Sequence, residues 1–261
     1  MKTPSLLLIA LLSTILLTSC DEQTLTPALP ILRGEKVTYH FESGFSYRIL
    51  QYDDKGKVKS LVSGITYPDD GTFENTYELI YEGNVLKETR SQDVTVRSFE
   101  YSYGTNGQVS ETSVFQNDKL KELYEFSYDI EGNLVSEITW SSSTDGELFP
   151  ASQRKFKYDY RHNLIEIRQF TAEGEDFILV TTIVYSDYDN KVNSEYMFMN
   201  NLYHPFLRFF KNNPRSVRLT HENGTSAEQK FLYEYNSQDH VTKRRIENDP
   251  TSIDYEYIEF K

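Results

Sequence analysis

The sequence predicts an all-β protein: a long antiparallel β-meander of repeated hairpins, forming one strongly curved or partly rolled sheet. Three observations predict it. The chain carries 20 Tyr and 16 Phe against a single Trp, and aromatic enrichment favours strands. The aromatics alternate with polar residues, as in Tyr124-Glu125-Phe126-Ser127-Tyr128 and Phe99-Glu100-Tyr101-Ser102-Tyr103, which is the two-residue period of a half-buried strand. Finally, one fragment of turn chemistry returns along the chain, as "YDDKG" at 52, "YGTNG" at 103, "YDIEG" at 128, "YDYRH" at 158 and "YNSQD" at 235.

The elements follow in order. Residues 1–19 have a positive start at Lys2 and an apolar run, Leu6 to Leu17, with small residues at its exit. That is the pattern of an export signal, too short for a membrane span of about 20 residues. Cys20 is the only cysteine, so no disulfide is available within the chain. A lone cysteine in an exported chain asks for an explanation. Residues 20–34 hold Pro27, Pro30 and Gly34 with little alternation and read as a tether. Residues 35–261 read as a single β domain.

Within that domain the recurring fragment is a device for reversing a strand. In "YDIEGNLVSEI" Asp129 takes the first turn position, where its side chain can bond the backbone beyond it. Gly132 takes the fourth, where the backbone is left-handed. Gly56, Gly107, His162 and Asp239 fill that place in other copies, and Asn190 is expected to fill it in "YSDYDNKV", with Asp187 opening the turn. Tyr128, Leu134 and Ile138 read as the buried face. Gly83-Asn84 suits a two-residue hairpin turn. Second turns lie between the copies, at Asp69-Asp70-Gly71, Asn117-Asp118, Asp145-Gly146, Gly174 and Asn223-Gly224. Self-similarity of this kind marks an architecture in which one unit cannot bury its own apolar face. One stretch departs from it. Leu202, Phe206, Phe209 and Phe210 fall at helical spacing, and Pro205 suits a first turn, so a short helical insert is expected near 203–212, packed on the sheet.

Four resemblances follow from these residues. "LTSC", Leu17 to Cys20, resembles the lipobox of bacterial lipoproteins. This implies acylation of Cys20 (diacyl on sulfur, a further chain on the new amino terminus), a membrane partner held through that lipid, and an outer-membrane location on either face. Asp21 and Glu22 resemble the acidic tag of some Bacteroidetes-type surface lipoproteins. Tyr128, Asp129, Gly132, Asn133 and Leu134, with the same places in the other copies, resemble the YD repeats of Rhs-type surface and toxin-shell proteins. "YSDYDNKVNSEY" followed by "FFKNNP" is similar to uncharacterised lipoproteins of Bacteroidetes-type bacteria, with Ser194 where their pattern has proline. These resemblances imply a fold and a location and no reaction.

The chemistry of the remaining residues is sparse. A formal net charge of −13 excludes nucleic acid as a partner; the densest basic stretch, "KRR" at 243–245, reads as a solvated strand face. The histidines at 40, 162, 204, 221 and 240 are scattered, so no metal site and no cofactor is expected. "DYDN" at 187–190 lacks the calcium-loop spacing and reads as a turn. Trp140 is the candidate for an aromatic ligand platform. The sequence therefore points to a non-catalytic binding or scaffold protein of the envelope with a protein or glycan partner. A surface glycan hydrolase and a purely structural lipoprotein are the rival readings.

Overall fold

The computed structural model describes residues 31–93, 96–174, 176–199 and 201–260. The export segment, Cys20 and residues 21–30 lie outside the described residues. The strands are β1 (Ile31–Phe41), β2 (Gly44–Tyr52), β3 (Val58–Tyr67), β4 (Gly71–Glu82), β5 (Val85–Ser91), β6 (Arg97–Tyr103), β7 (Val109–Gln116) and β8 (Lys119–Tyr128). They continue as β9 (Leu134–Ser142), β10 (Leu148–Tyr158), β11 (Leu164–Glu173), β12 (Asp176–Tyr188), β13 (Pro214–His221), β14 (Ser226–Tyr235), β15 (Val241–Ile246) and β16 (Ser252–Phe260). Each pairs antiparallel with its sequence neighbours, and β1 pairs with β16, from Ile31↔Phe260 to His40↔Ser252.

The meander expected from the sequence is thus present, but the sheet is neither open nor partly rolled: it closes into a barrel. Closure pairs the last free edge and removes the row of unsatisfied N–H and C=O groups that an open meander would leave at both ends. It also moves the boundary of the domain. β1 starts at Ile31, so residues 31–34, assigned to the tether on sequence, form part of the wall. Gly34 belongs there because a Cβ would stand 2.8 Å from the Phe198 ring.

In a meander all connections that lead from an even to an odd strand lie at one end, and the others at the opposite end. The recurring turns all occupy the even-to-odd end, called here the tyrosine end. Asp129 Oδ1 accepts from the backbone N–H of Glu131 at 2.9 Å and of Asn133 at 2.8 Å. Asp53, Asp159 and Asn236 repeat this pair of bonds. The left-handed places are where the sequence puts them, at Gly56, Gly107, Gly132, His162 and Asp239. "YSDYDNKV" is the exception: Asp187, not Asn190, has the positive φ, 55°.

A bulge follows each recurring turn. Tyr128 pairs with Leu134, while Ser127 pairs with Ser136, so Val135 is the extra residue. The same skip occurs after the turns behind Tyr52, Tyr103, Tyr158 and Tyr235. One extra residue inverts the alternation beyond it. Glu137 therefore points into the barrel and is buried, and Ile138, assigned to the core by period alone, lies on the outer wall opposite Glu125 and Gln153.

Most tyrosines at this end are cross-ties as well as core residues. A hydroxyl donates to a carbonyl on the preceding strand from Tyr81 to Val58 (2.9 Å), Tyr103 to Leu86 (2.6 Å), Tyr128 to Val109 (2.6 Å) and, in the last strand, Tyr257 to Val241 (2.7 Å). Tyr52 does the same to Gly34 and Tyr188 to Leu164. Burial pushes the Tyr52 and Tyr81 phenols up to about 12, which keeps them protonated donors. The belt closes the tyrosine end of the wall.

Residues 189–213 replace the recurring turn between β12 and β13 and enter the bore. The expected helix over 203–212 is absent; the insert's regular structure is one 3-10 turn, Glu195–Phe198. Phe206 has φ 62°, which a right-handed helix does not allow. The insert is instead pinned at its base. Asp189 accepts from the backbone N–H of Asn213 at 3.1 Å and from the Tyr235 hydroxyl. Asn163, fully buried, accepts from the N–H groups of Lys211 (3.0 Å) and Asn212 (2.8 Å). "DYDN" is therefore a fastening for the insert.

The core has two parts. Met199, Leu202, Tyr203, Leu207, Phe209 and Phe210 of the insert pack on wall residues from β2 round to β12, among them Leu61, Phe99, Phe126 and Phe156. Phe198 packs across the β1–β16 seam with Val37, Tyr255 and Val241.

Candidate functional site

The barrel's two faces have opposite characters. Outward rows run through charged pairs: Glu78, Arg90, Glu88 and Glu100 across β4–β6, Lys157 and Glu166, Arg218 and Glu228, Lys243 and Asp254. Inward rows are aromatic near the tyrosine end. Towards the far end they turn polar, through residues such as Ser63, Asn75, Gln169 and Thr181. A barrel that crosses a membrane has the reverse arrangement, an apolar outer band around a polar bore.

Charged side chains line the bore where the aromatic floor gives way to the polar wall. Arg244 Nη1 donates to Glu195 Oε1 at 2.5 Å, and the Tyr255 hydroxyl donates to the same oxygen at 2.8 Å. Burial pulls the Arg244 guanidinium down, but Glu195 and the surrounding phenols outweigh it, and the net displacement is upward. Tyr255 is raised well above its ordinary value, first by burial and then by the Glu195 charge. Arg154 forks onto Glu137 at 2.5–2.8 Å. Arg97 donates to the Tyr203 hydroxyl at 3.0 Å and lies 3.7 Å from Glu122, which accepts from Tyr124 at 2.8 Å. Arg48 donates to the Met199 carbonyl at 3.3 Å. Glu137 and Tyr255 are buried, while the arginines point inward yet retain contact with solvent; 38 % of the Arg97 and 23 % of the Arg244 side chain is accessible.

One accessible space is a bay of about 480 Å³ between the insert and β12–β15. Its walls are Tyr185, Phe210 and Phe231, with Leu219 and Ala227 towards the far end. Arg244, Glu195 and Gln229 supply its polar groups. Rigid aromatic faces with a few convergent hydrogen-bonding groups are the composition of a small-ligand site, and the volume falls in the range such sites occupy, about 300–1,000 Å³. A smaller void, about 80 Å³, lies inside the insert beside His204 and Phe209.

The sequence did not single out this site. "KRR" is not a solvated face throughout: Lys243 and Arg245 point out, and Arg244, set over by the bulge behind Tyr235, points in. Trp140 lies elsewhere. It is on the outer wall between Leu123 and Pro150, half-buried, with Nε1 donating to Glu125 at 2.9 Å. Among the described residues no group of three or more His, Cys, Asp or Glu is placed to hold a metal ion. Of the histidines, His204 is buried in the insert against Phe126 and Tyr128, His240 bonds Ser194 at 2.8 Å, and His40 bonds Asp254 at 2.8 Å.

No protein-family model matches the chain, and no curated protein matches it. Solved structures share its fold, two of them over most of the chain. One is a porin-like protein from Bacteroides uniformis ATCC 8492, with TM-score 0.59 and 15 % identity, covering 85 % of this chain and 96 % of that one. The other is a porin-like protein from Bacteroides vulgatus ATCC 8482, with TM-score 0.57 and 15 % identity, covering 86 % and 98 %. The chain is similar to both in architecture over nearly the whole length of each.

Proposed function

We propose that this chain is a non-catalytic binding protein of the bacterial outer membrane, carried on a lipid at Cys20, that takes a short glycan into the bore of its barrel. The bay beside Arg244 carries the reading. Sugar rings stack on aromatic faces such as Tyr185 and Phe231, and their hydroxyls pair with fixed guanidinium, carboxylate and amide groups. The charged outer wall favours a barrel that stands in water, and the insert in the bore speaks against an open pore. The two porin-like relatives in fold, both from Bacteroides, and the lipobox support an envelope location. The recurring turns support kinship with YD-repeat proteins as a way of building a wall.

The rival hydrolase needs two carboxyl groups about 5–9 Å apart, one of them protonated to act as general acid. Glu195 and Glu137 are each bound to an arginine and Glu122 to Tyr124. The connections at the far end are acidic throughout, which favours neutral or amino-bearing sugars over anionic ones.

Calorimetry of the mature protein against neutral, amino and acidic oligosaccharides tests the reading. Binding of a neutral or amino sugar, weakened tenfold or more by Phe231→Ala or Gln229→Ala, is expected. Equal affinity in the wild type and both variants would place the ligand elsewhere. For the anchor, mass spectrometry should find acyl chains on Cys20, and Cys20→Ala should release the protein from membranes.

A further inference from the structure

The tyrosine end carries apolar groups that the fold does not use. Ile130, at the tip of the β8–β9 turn, is fully exposed, and Tyr160, at the tip of the adjacent β10–β11 turn, is 84 % exposed. The equivalent turn positions elsewhere hold Asp54, Thr105 and Ser237, so turn geometry does not call for an apolar residue there. Val192 and Phe206 of the insert are also exposed at this end. The described chain starts here too, because β1 runs from Ile31 at the tyrosine end to Phe41 at the far end.

The two ends differ in charge. Every charged residue in the described far-end connections is acidic, among them Glu42, Asp69, Asp70, Asp93, Asp118 and Glu222. At the tyrosine end Lys55, Lys57, Arg161, Lys191, Arg208 and Lys211 stand among the acids. Charged pairs run through the outer wall beside apolar groups such as Ile138 and Trp140, and the far end would be repelled by anionic headgroups. That leaves one face suited to a bilayer. Ten residues lie between Cys20 and Ile31, and the eleven Cα–Cα steps span at most about 40 Å.

We propose that the tyrosine end rests on the lipid surface, with Ile130, Tyr160, Val192 and Phe206 in the headgroup boundary and the acidic far end directed away. Tyrosine and phenylalanine suit that boundary, and Arg161, over the Tyr160 ring at 5.2 Å, can reach the phosphates while its stem stays apolar. Each side chain adds a little to the anchor, and together they orient the barrel so that the bay opens away from the membrane. The inference rests on the lipid at Cys20 proposed above.

The test uses full-length protein in phosphatidylethanolamine–phosphatidylglycerol vesicles. An environment-sensitive fluorophore is placed through Ile130→Cys, Tyr160→Cys or, at the far end, Asp70→Cys, and Cys20 acylation is read separately by mass spectrometry. Labels at 130 and 160 should shift to shorter wavelength, brighten at least twofold and be quenched by nitroxide lipids, while the label at 70 stays as in water. Acylated protein whose labels at 130 and 160 remain in water overturns the orientation and leaves the anchor standing. Unacylated protein whose labels at 130 and 160 still enter added vesicles overturns the anchor alone, and protein showing neither property overturns both. Brightening that grows with protein concentration and resists nitroxide lipids would mean that a second copy covers this end, and would overturn the proposal.

Discussion

The two ends of the barrel are built from the same sixteen strands and do different things. At the tyrosine end one turn is repeated, its tyrosines tie neighbouring strands together, and the one long departure from the repeat folds inward as the insert. At the far end the connections vary, the inward rows mix polar residues with apolar ones such as Leu219 and Ala227, and the bore keeps space. The repeat therefore builds a stiff wall, and the place where it is broken, between β12 and β13, supplies the floor against which a bay can form. Stability should be concentrated at the tyrosine end. The largest contrast tests this: Phe198→Ala removes a fully buried ring that packs 5.3 Å from Tyr255 and 5.4 Å from Tyr257 across the closing seam, and should cost about 3–5 kcal/mol in denaturant melts. Phe73→Ala at the far end, where the ring is 61 % exposed, should stay within about 0.5 kcal/mol of wild type. A far-end loss as large as the Phe198 loss would erase the distinction.

The junction between floor and wall should be the next most sensitive place. Glu195 belongs to the insert and Arg244 to the wall, so their pair joins the two. Glu195→Ala leaves a guanidinium in the bore with phenols but no carboxylate, and should cost roughly 3 kcal/mol. Glu195→Gln keeps an acceptor for Tyr255 and should recover part of that loss. If alanine and glutamine were equally harmful, charge would matter and the Tyr255 bond would not; if both were harmless, the insert would be held by its apolar side chains alone.

Acid should loosen the insert in a defined window. His204 is buried, and burial pulls its imidazole down to about 4, against the weaker opposing pull of the backbone at His204 and Pro205. Its Nε2 meets the Tyr128 hydroxyl, and because that hydroxyl also bonds the Val109 carbonyl, the network assigns the ring proton to Nε2. Nδ1 has no partner. In the unfolded chain the ring takes up a proton near 6.5, so between about 6.5 and 4 the unfolded state binds more protons. Stability is then fully present above about 6.5 and is lost as pH falls through about 4, by about 2.5 kcal/mol at pH 4.5. Unfolding midpoints of wild type and His204→Asn at pH 7 and 4.5 check this; the variant starts lower and should lose about 2.5 kcal/mol less between the two pH values.

The sequence made local geometry legible and left long-range geometry hidden. Gly132, His162 and Asp239 could be read as left-handed because only a few side chains tolerate that backbone. Closure could not, because it depends on residues 31–40 meeting 252–260, and nothing in either segment names the other. Glu137 and Arg244 were missed for a sharper reason. A period-two reading places them outside, and one bulged residue behind each turn brings them in. The signal lies in the regularity of the repeat: a turn with a left-handed fourth residue tends to carry a bulge, and each bulge resets the parity of the strand beyond it. The insert misled in the opposite way. Its aromatics have helical spacing, yet each fills a separate place on the wall, Phe209 against Phe156 and Phe210 against Tyr185, and the backbone follows the side chains.

The tyrosine belt offers the smallest effect and the most discriminating one. If these residues were present only for burial, removing the hydroxyl would be neutral or favourable everywhere. If they are cross-ties, the effect must depend on whether the hydroxyl has a partner. Tyr103 donates to Leu86 at 2.6 Å, so Tyr103→Phe leaves a carbonyl without its donor and should cost about 1 kcal/mol. Tyr158 occupies the same place in its copy, yet its buried hydroxyl has no partner, and burial has raised its pKa. Tyr158→Phe removes a desolvated polar group and loses no bond, so it should be neutral or stabilising by up to about 1 kcal/mol. The pair is matched in repeat position and in the atom deleted, so context and chemistry cancel in the comparison. Opposite signs for the two variants would establish the belt as hydrogen bonding; equal losses would mean that the phenol at 158 finds a partner in solution, and equal gains would reduce the recurring tyrosine to an apolar filler.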